Sequence, residues 1–239
     1  MSSDKTPYPR LDHDGYARTR SPDDFWGQIR RTVQGRPVTD EQIAMIVDAI
    51  QRGLEINSGD ILLDLACGNG ALAQLIYGSC AGYLGVDFSE YLISVAKKNF
   101  EAPPRAVFAV HDVTEYVRSE ARPERFTKAL CYGSFSYFPA VAAEQTLGLL
   151  FEKFVNVQRL FIGNLPDKDL AEKFYAARTP SPEEMADPCS QIGIWRSRDE
   201  FTSLANGAGW QVQFSTMPAE FYAAHYRYDA LLIRPAQGK

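Results

Sequence analysis

The chain has 239 residues, a formal net charge of −5, 45% hydrophobic and 12% aromatic residues. That length and apolar content suit one large α/β core better than two full domains, so residues 1–239 are expected to form a single domain. The acidic balance argues against a nucleic-acid footprint, which is normally basic, and no run approaches the ~20 apolar residues of a membrane span.

The start, "MSSDKTPYPR", lacks the apolar core of a secretion signal. Cys67, Cys80, Cys131 and Cys189 are scattered without metal-ligand spacing. Reduced thiols in a cytoplasmic protein, with no metal site, are expected.

Residues 1–37 are polar and dotted with Tyr8, Tyr16, Phe25 and Trp26, and they read as a loosely helical arm. The stretch "TDEQIAMIVDAIQRGL" opens with a capping box, Thr39 with Gln42. Ile43, Ile46, Val47 and Ile50 then make one apolar helix face, and Gly53 suits its end. The arm and this helix together make an N-terminal extension, 1–53, on the sheet.

From there short apolar strands are predicted at 61–65, 82–87, 105–110, 127–132 and 158–163. Helices are predicted between them at 70–77, 89–100 with Ser89 as N-cap, 113–120 and 140–154. This alternation implies a doubly wound, Rossmann-like α/β fold with a mostly parallel sheet. A charged, Pro-containing insert at 165–196 reads as a cap. Ser197 and Glu200 open a further helix that Gly209 closes, and "WQVQFSTM" and "YRYDALLIR" complete seven strands. Their short link makes the last strand antiparallel.

In such a sheet ligands bind outside the carboxyl ends of the strands, where strand order reverses. "DLACGNG", Asp64 to Gly70, is a strand running into a glycine turn and then a helix start. Gly68 and Gly70 let the backbone turn sharply and a ligand approach the free N–H groups beyond. A dinucleotide frame, GxGxxG/A, would read Ala66, Gly68, Ala71 and lack its first glycine. Asp87 ends the second strand and suits a ribose diol, and Asp112 ends the third.

The motif resembles the first motif of the class I S-adenosylmethionine-dependent methyltransferases, in the variant with Ala-Cys for the first glycine. The resemblance covers about residues 45–235. It implies that residues 66–70 cradle the methionine part of S-adenosylmethionine, with Asp64 ordering the loop and the ammonium side. It also implies that Asp87 holds the ribose, and that Asp112, with Val113 beside it, accepts from the adenine amino group. Ala66, Gly68, Gly70, Phe88 and Cys131 are assigned to the cofactor site with them, and Tyr16, with Arg20, is expected to close over it from the arm.

Methyl transfer from a sulfonium is an in-line displacement that needs alignment, dryness and, for a hydroxyl acceptor, a base. The Asn-Pro-Pro-aromatic run of amide methylators is absent from "CYGSFSYF". An antiparallel last strand would start on the active face, which places His225 there as the candidate catalytic base, since free histidine titrates near roughly 6.5. His13 is its rival. Asn164, Asp167 and Lys168 are candidates for the acceptor pocket, and Phe174, Tyr175 and Trp195 for its apolar walls. The tail, with "NLPDKD" and "YRYDALLIRP", is faintly similar to bacterial methyltransferases of surface-polysaccharide and other secondary pathways.

The expected activity is methyl transfer to a small-molecule acceptor, most readily a hydroxyl of a sugar or natural product. N-methylation of an amine metabolite, RNA or protein methylation, and a non-catalytic S-adenosylmethionine-binding protein remain alternatives. No nucleic-acid or membrane partner is expected, and a homodimer is compatible with the chain.

Overall fold

The computed structural model describes residues 13–176 and 178–236; Tyr8 lies outside them. Seven strands form the main sheet: β3 (Ile61–Leu65), β4 (Gly82–Asp87), β5 (Ala106–Val110), β6 (Lys128–Tyr132), β7 (Arg159–Pro166), β8 (Gln211–Ser215) and β9 (Arg227–Ile233). Their order is β5-β4-β3-β6-β7-β9-β8. β9 runs antiparallel to both β7 and β8, and the remaining pairs are parallel. Strand order therefore reverses between β3 and β6, beside the "DLACGNG" turn.

The period-2 geometry of a strand sorts β3 onto two cores. Leu62 joins a cluster with Ile46, Ile50 and Ile93, from α3 (Asp40–Leu54) and α4 (Glu90–Phe100). Leu63 and Leu65 join the other, with Val117 of α5 (Val113–Ser119), Leu147 of α6 (Ala140–Lys153) and Phe201 of α9 (Arg198–Gly207). Asp64 shares Leu62's parity, so its carboxylate is driven into an otherwise apolar layer and is only 3% exposed.

Several local features depart from the sequence-based expectation. The helix expected at 70–77 is two 3-10 turns, Ala73–Leu75 and Tyr77–Ser79. Asn69 Oδ1 accepts from the Ala71 N–H at 3.2 Å, but so short a segment does not repay helix nucleation. Thr39 is the N-cap of α3 but makes no side-chain cap bond. Gln42 instead donates to the Glu220 carbonyl at 3.0 Å and accepts from the Tyr222 N–H at 2.8 Å, satisfying a distant loop. That helix runs one residue past Gly53 and stops at Glu55, whose φ is 51°.

The arm is only partly helical, in α1 (His13–Arg18) and α2 (Phe25–Gln28). It also carries a hairpin, β1 (Thr32–Val33) with β2 (Arg36–Pro37). Gln34 and Gly35 both have positive φ, 50° and 76°, the geometry of a two-residue hairpin turn.

After β7 the insert holds α7 (Ala171–Tyr175) and α8 (Pro182–Met185). Leu165 and Pro166 belong to β7 rather than to the insert. The insert's ends meet where Asp167 bridges Arg196. Among the described residues no helix is long and apolar enough to cross a membrane.

The Ser197–Glu200 capping box is complete: Ser197 accepts from the Glu200 N–H at 3.1 Å, and the Glu200 carboxylate accepts from the Ser197 N–H at 2.8 Å. Ser197→Ala should cost about 1 kcal/mol, read as a fall in Tm of roughly 2–4 °C in thermal unfolding.

Candidate functional site

A cavity of about 540 Å³ opens at the carboxyl ends of the parallel strands. That size suits a small ligand or a cofactor with its acceptor. The β3–α4 side supplies Asp64, Ala66, Cys67, Gly68, Asp87 and Phe88. The arm supplies His13, Tyr16 and Ile29 to Val33, the insert supplies Phe174, Gln191 and Ile192, and the start of β9 supplies His225 and Arg227.

Asp87 organises the glycine turn. One carboxylate oxygen accepts from the Gly68 N–H at 2.9 Å and the other from the Ser89 N–H at 2.9 Å. Ala66 and Gly68 take positive φ, 64° and 59°. Gly68 also sits close to the arm: a Cβ there would lie 3.1 Å from Ile29 Cγ2. Asn69, fully buried, ties the turn to the arm through the Phe25 carbonyl at 2.8 Å and Gln28 Oε1 at 3.0 Å.

Asp64 does not hold the loop, as was expected of it. It accepts from the Tyr83 hydroxyl at 2.7 Å, and the loop N–H belongs to Asp87. Burial pushes the Asp64 carboxyl up to about 7, against the lowering effect of the Tyr83 bond. Burial likewise raises Asp87 to about 6, offset in part by the Ser89 and Gly68 N–H groups. Two carboxylates thus sit desolvated beside an open cavity, an arrangement that favours a cationic ligand.

The other expected residues divide. Phe88, Val113 and Tyr16 line the cavity with Ala66 and Gly68. Gly70 does not: its φ is 77° and a Cβ would crowd Phe108 and Ala96 at 3.0 and 3.1 Å, so its glycine serves packing. Cys131 is also off the wall, buried in the core with Leu63 and Val113, because its parity on β6 turns the thiol away from the opening. Asp112 caps α5 through the Glu115 N–H at 3.1 Å and does not line the cavity either. Its Oδ2 is buried without a hydrogen-bond partner.

On the acceptor side, Asn164 lines the cavity at a β-bulge with φ 66°. A bulge re-aims the side chain it carries. Asp167 and Lys168 are elsewhere: buried Asp167 meets Arg198 at 3.3 Å and Lys168 pairs with Glu200, anchoring the insert. Phe174 forms a wall, packed on Tyr226 at 4.9 Å and Trp195 at 5.6 Å. Trp195 and Tyr175 stand behind it rather than on the surface of the cavity. Arg20 also lies behind the wall, donating to the Tyr16 hydroxyl at 2.6 Å.

Sequence reasoning missed Ile29, Arg30 and Arg31, Tyr83 and Asn69. The first three lie in an arm without periodicity, and Tyr83 meets Asp64 only through strand pairing. Asn69 alone had a signal: a polar residue between two glycines of the motif.

The fold and the cavity's position at the strand-order reversal define the Rossmann-like class I methyltransferase architecture. Residues 62–152 match the family model described as a methyltransferase domain, and the fold is shared with S-adenosylmethionine-dependent methyltransferases of known structure. No curated protein matches the sequence. A TehB-like S-adenosylmethionine-dependent methyltransferase from Corynebacterium glutamicum superposes with TM-score 0.57 at 17% identity, covering 93% of this chain and 98% of that one. Magnesium protoporphyrin IX methyltransferase from Synechocystis, with bound S-adenosylhomocysteine, gives 0.54 at 14%, covering 82% of each chain. The small RNA methyltransferase HEN1 gives 0.58 at 17%, covering 85% of this chain and 26% of that one.

Gly68→Val forces a β-branched residue to a φ of 59° and against Ile29, so the folded variant should lose S-adenosylmethionine binding by calorimetry while keeping its circular dichroism. Folding raises Asp64 from the ordinary carboxylate range to about 7, so the folded protein holds a proton that the unfolded chain has lost. Ligand-free stability from this group is therefore full below roughly pH 4 and falls as pH rises through about 7. Asp64→Asn should flatten that fall in Tm against pH; an unchanged slope between the two proteins would contradict it.

Proposed function

We propose that the protein methylates a hydroxyl of a small molecule held between the arm, the insert and the start of β9. The carrying observation is the covered cavity itself, whose acceptor side is walled by Tyr132, Tyr137, Phe174, Tyr222 and Tyr226. Aromatic walls under a cap suit a compact acceptor such as a sugar or natural-product hydroxyl better than an extended polymer. The four cysteines are free, which supports a reducing compartment such as the cytoplasm.

S-adenosylmethionine, when bound, supplies an electrophilic methyl group. Residues 66–68, Asp87, Phe88 and Val113 would hold it, with Tyr16 covering it. Asp64 and Asp87 carry the negative charge that a sulfonium and an ammonium neutralise. The unpartnered Asp112 Oδ2 fits an amino donor reached past the Val113 wall.

The chain's own groups then align the acceptor and exclude water. His225 is the proposed base. It precedes Arg227, which pairs with Pro166 at the carboxyl end of β7, and it lines the cavity with its ring packed edge-on to Tyr226 at 4.8 Å. His13, the rival, sits across the cavity edge-on to Phe88 at 5.5 Å, on the cofactor side. An RNA acceptor is the competing reading, prompted by the likeness to HEN1; binding of an RNA oligonucleotide that weakens steeply with salt would favour it.

His225→Gln should lower the methylation rate on a hydroxyl acceptor by roughly 10²–10⁴ and remove the acid limb of the pH–rate profile. An amine acceptor needs less base assistance, so a rate nearly unchanged with the limb retained would point to N-methylation or to another base.

A further inference from the structure

The cavity carries side chains of both charges. The acids Asp64 and Asp87 lie at β3 and β4, whereas the cations Arg30, Arg31 and Arg227 lie on the arm and at β9. β9 is three strands from β3, roughly 14 Å at the usual inter-strand spacing. Among the described residues none of the three arginines forms an ion pair.

Arg31 carries the clearest signature. Its guanidinium lies 4.8 Å from the Tyr132 ring centroid and 6.0 Å from that of Trp26. Its Nε and Nη1 are buried and have no hydrogen-bond partner. The Tyr132 hydroxyl, on a side chain 6% exposed, and Asn164 Oδ1 are buried and unpartnered as well. These groups converge at Gly133, where a Cβ would stand 3.5 Å from Arg31 Nη2 and 3.6 Å from Asn164 Nδ2. The Arg31 nitrogens and the Tyr132 hydroxyl are donors and Asn164 Oδ1 an acceptor; buried polar groups left open in this way are costly and are normally completed by a partner, to which Asn164 can donate only through Nδ2.

The neighbouring carboxylates do not fill that place. Asp64 is within electrostatic reach of Arg31 but is bonded to Tyr83. Asp229 is within reach of Arg227 and accepts from the Asn164 N–H at 2.7 Å through Oδ1, while its Oδ2 is buried without a hydrogen-bond partner and so bonds to none of these groups. Arg227 itself donates to the Asn164 carbonyl, which fixes its guanidinium beside the bulge.

We propose that Arg31, Tyr132 and Asn164, backed by Arg227, form an anion-holding subsite, and that the methyl acceptor carries a carboxylate; this rests on the methyltransferase function proposed for the same cavity. One desolvated guanidinium with a phenol beside it matches a single negative charge, and the aromatic walls match a ring bearing it. Aromatic or cyclic hydroxy acids are the acceptor class. The carboxylate docks at Arg31 and Tyr132 and directs the hydroxyl toward His225.

The same guanidinium chemistry would also suit the methionine carboxylate of the cofactor, and the test separates the two sources. Protein saturated with S-adenosylhomocysteine is titrated calorimetrically with a panel of phenolic and alicyclic hydroxy acids, each paired with its methyl ester and with a phosphate monoester of the same ring. At least one acid should bind about tenfold tighter than its ester, the value of one charge-assisted hydrogen bond. Arg31→Gln and Arg227→Gln should each erase that preference and leave S-adenosylhomocysteine affinity unchanged, while Arg31→Lys should restore part of it. The proposal is overturned if no acid outbinds its ester, including if none binds, or if the preference survives both substitutions. It is also overturned if the phosphate ester binds tighter than its acid. If Arg31→Gln weakens S-adenosylhomocysteine as much as the acid, the subsite serves the cofactor and the acceptor assignment falls. Failure of the unmodified protein to bind S-adenosylhomocysteine at all would instead remove the cofactor assignment, and this proposal with it.

Discussion

Asp87 accepts from the Gly68 N–H through one oxygen and from the Ser89 N–H through the other. This one carboxylate joins the turn after β3 to the start of α4, across the edge of two parallel strands. Remove it and the turn loses its only bond to β4's tip through a side chain among the described residues. The positive φ values at Ala66 and Gly68 would then be held only by backbone bonds such as Cys67 N–H to the Val86 carbonyl at 3.0 Å and by the Asn69 contacts to the arm. The cavity floor depends on this clamp, and so does the arm, which rests on the turn through Ile29 and Asn69.

The clamp has an electrostatic cost. Asp87 and Asp64 are both buried, and both carboxyls are raised by desolvation. In the free protein they oppose stability near neutral pH. A cationic cofactor would reverse the sign of that contribution, because the same low-dielectric setting that penalises a lone charge strengthens its attraction to an opposite one. Destabilisation of the empty site is thus the counterpart of ligand affinity. The arginines that line the same cavity extend this logic with opposite sign: an anionic group held by them would offset their own desolvation.

Much of the architecture was legible because it rests on short-range patterns. Apolar runs such as "ILLDL" mark strands buried on both faces, and Ser89 and Ser197 mark helix starts; these depend only on neighbours within one turn. Failures came where distant groups compete. Gln42 left its capping box for the Glu220–Tyr222 backbone, and local spacing cannot reveal a partner so far along the chain. The hairpin at Thr32–Pro37 was hidden by its length, two residues per strand.

Within the site, the order of residues along the chain determined which strand tips carry acids, which turn carries glycines, and that the segment beginning at Arg227 returns to the active edge. These follow from strand direction and the short link before β9. Tertiary structure alone decided which side chains face the opening. Cys131 and Gly70 turned inward, Asp64 met Tyr83 rather than the loop, and three arginines from remote segments gathered in one cavity. Parity and twist place a strand residue on a face, but only the packing of both layers and the fall of the arm settle whether that face is core or cavity.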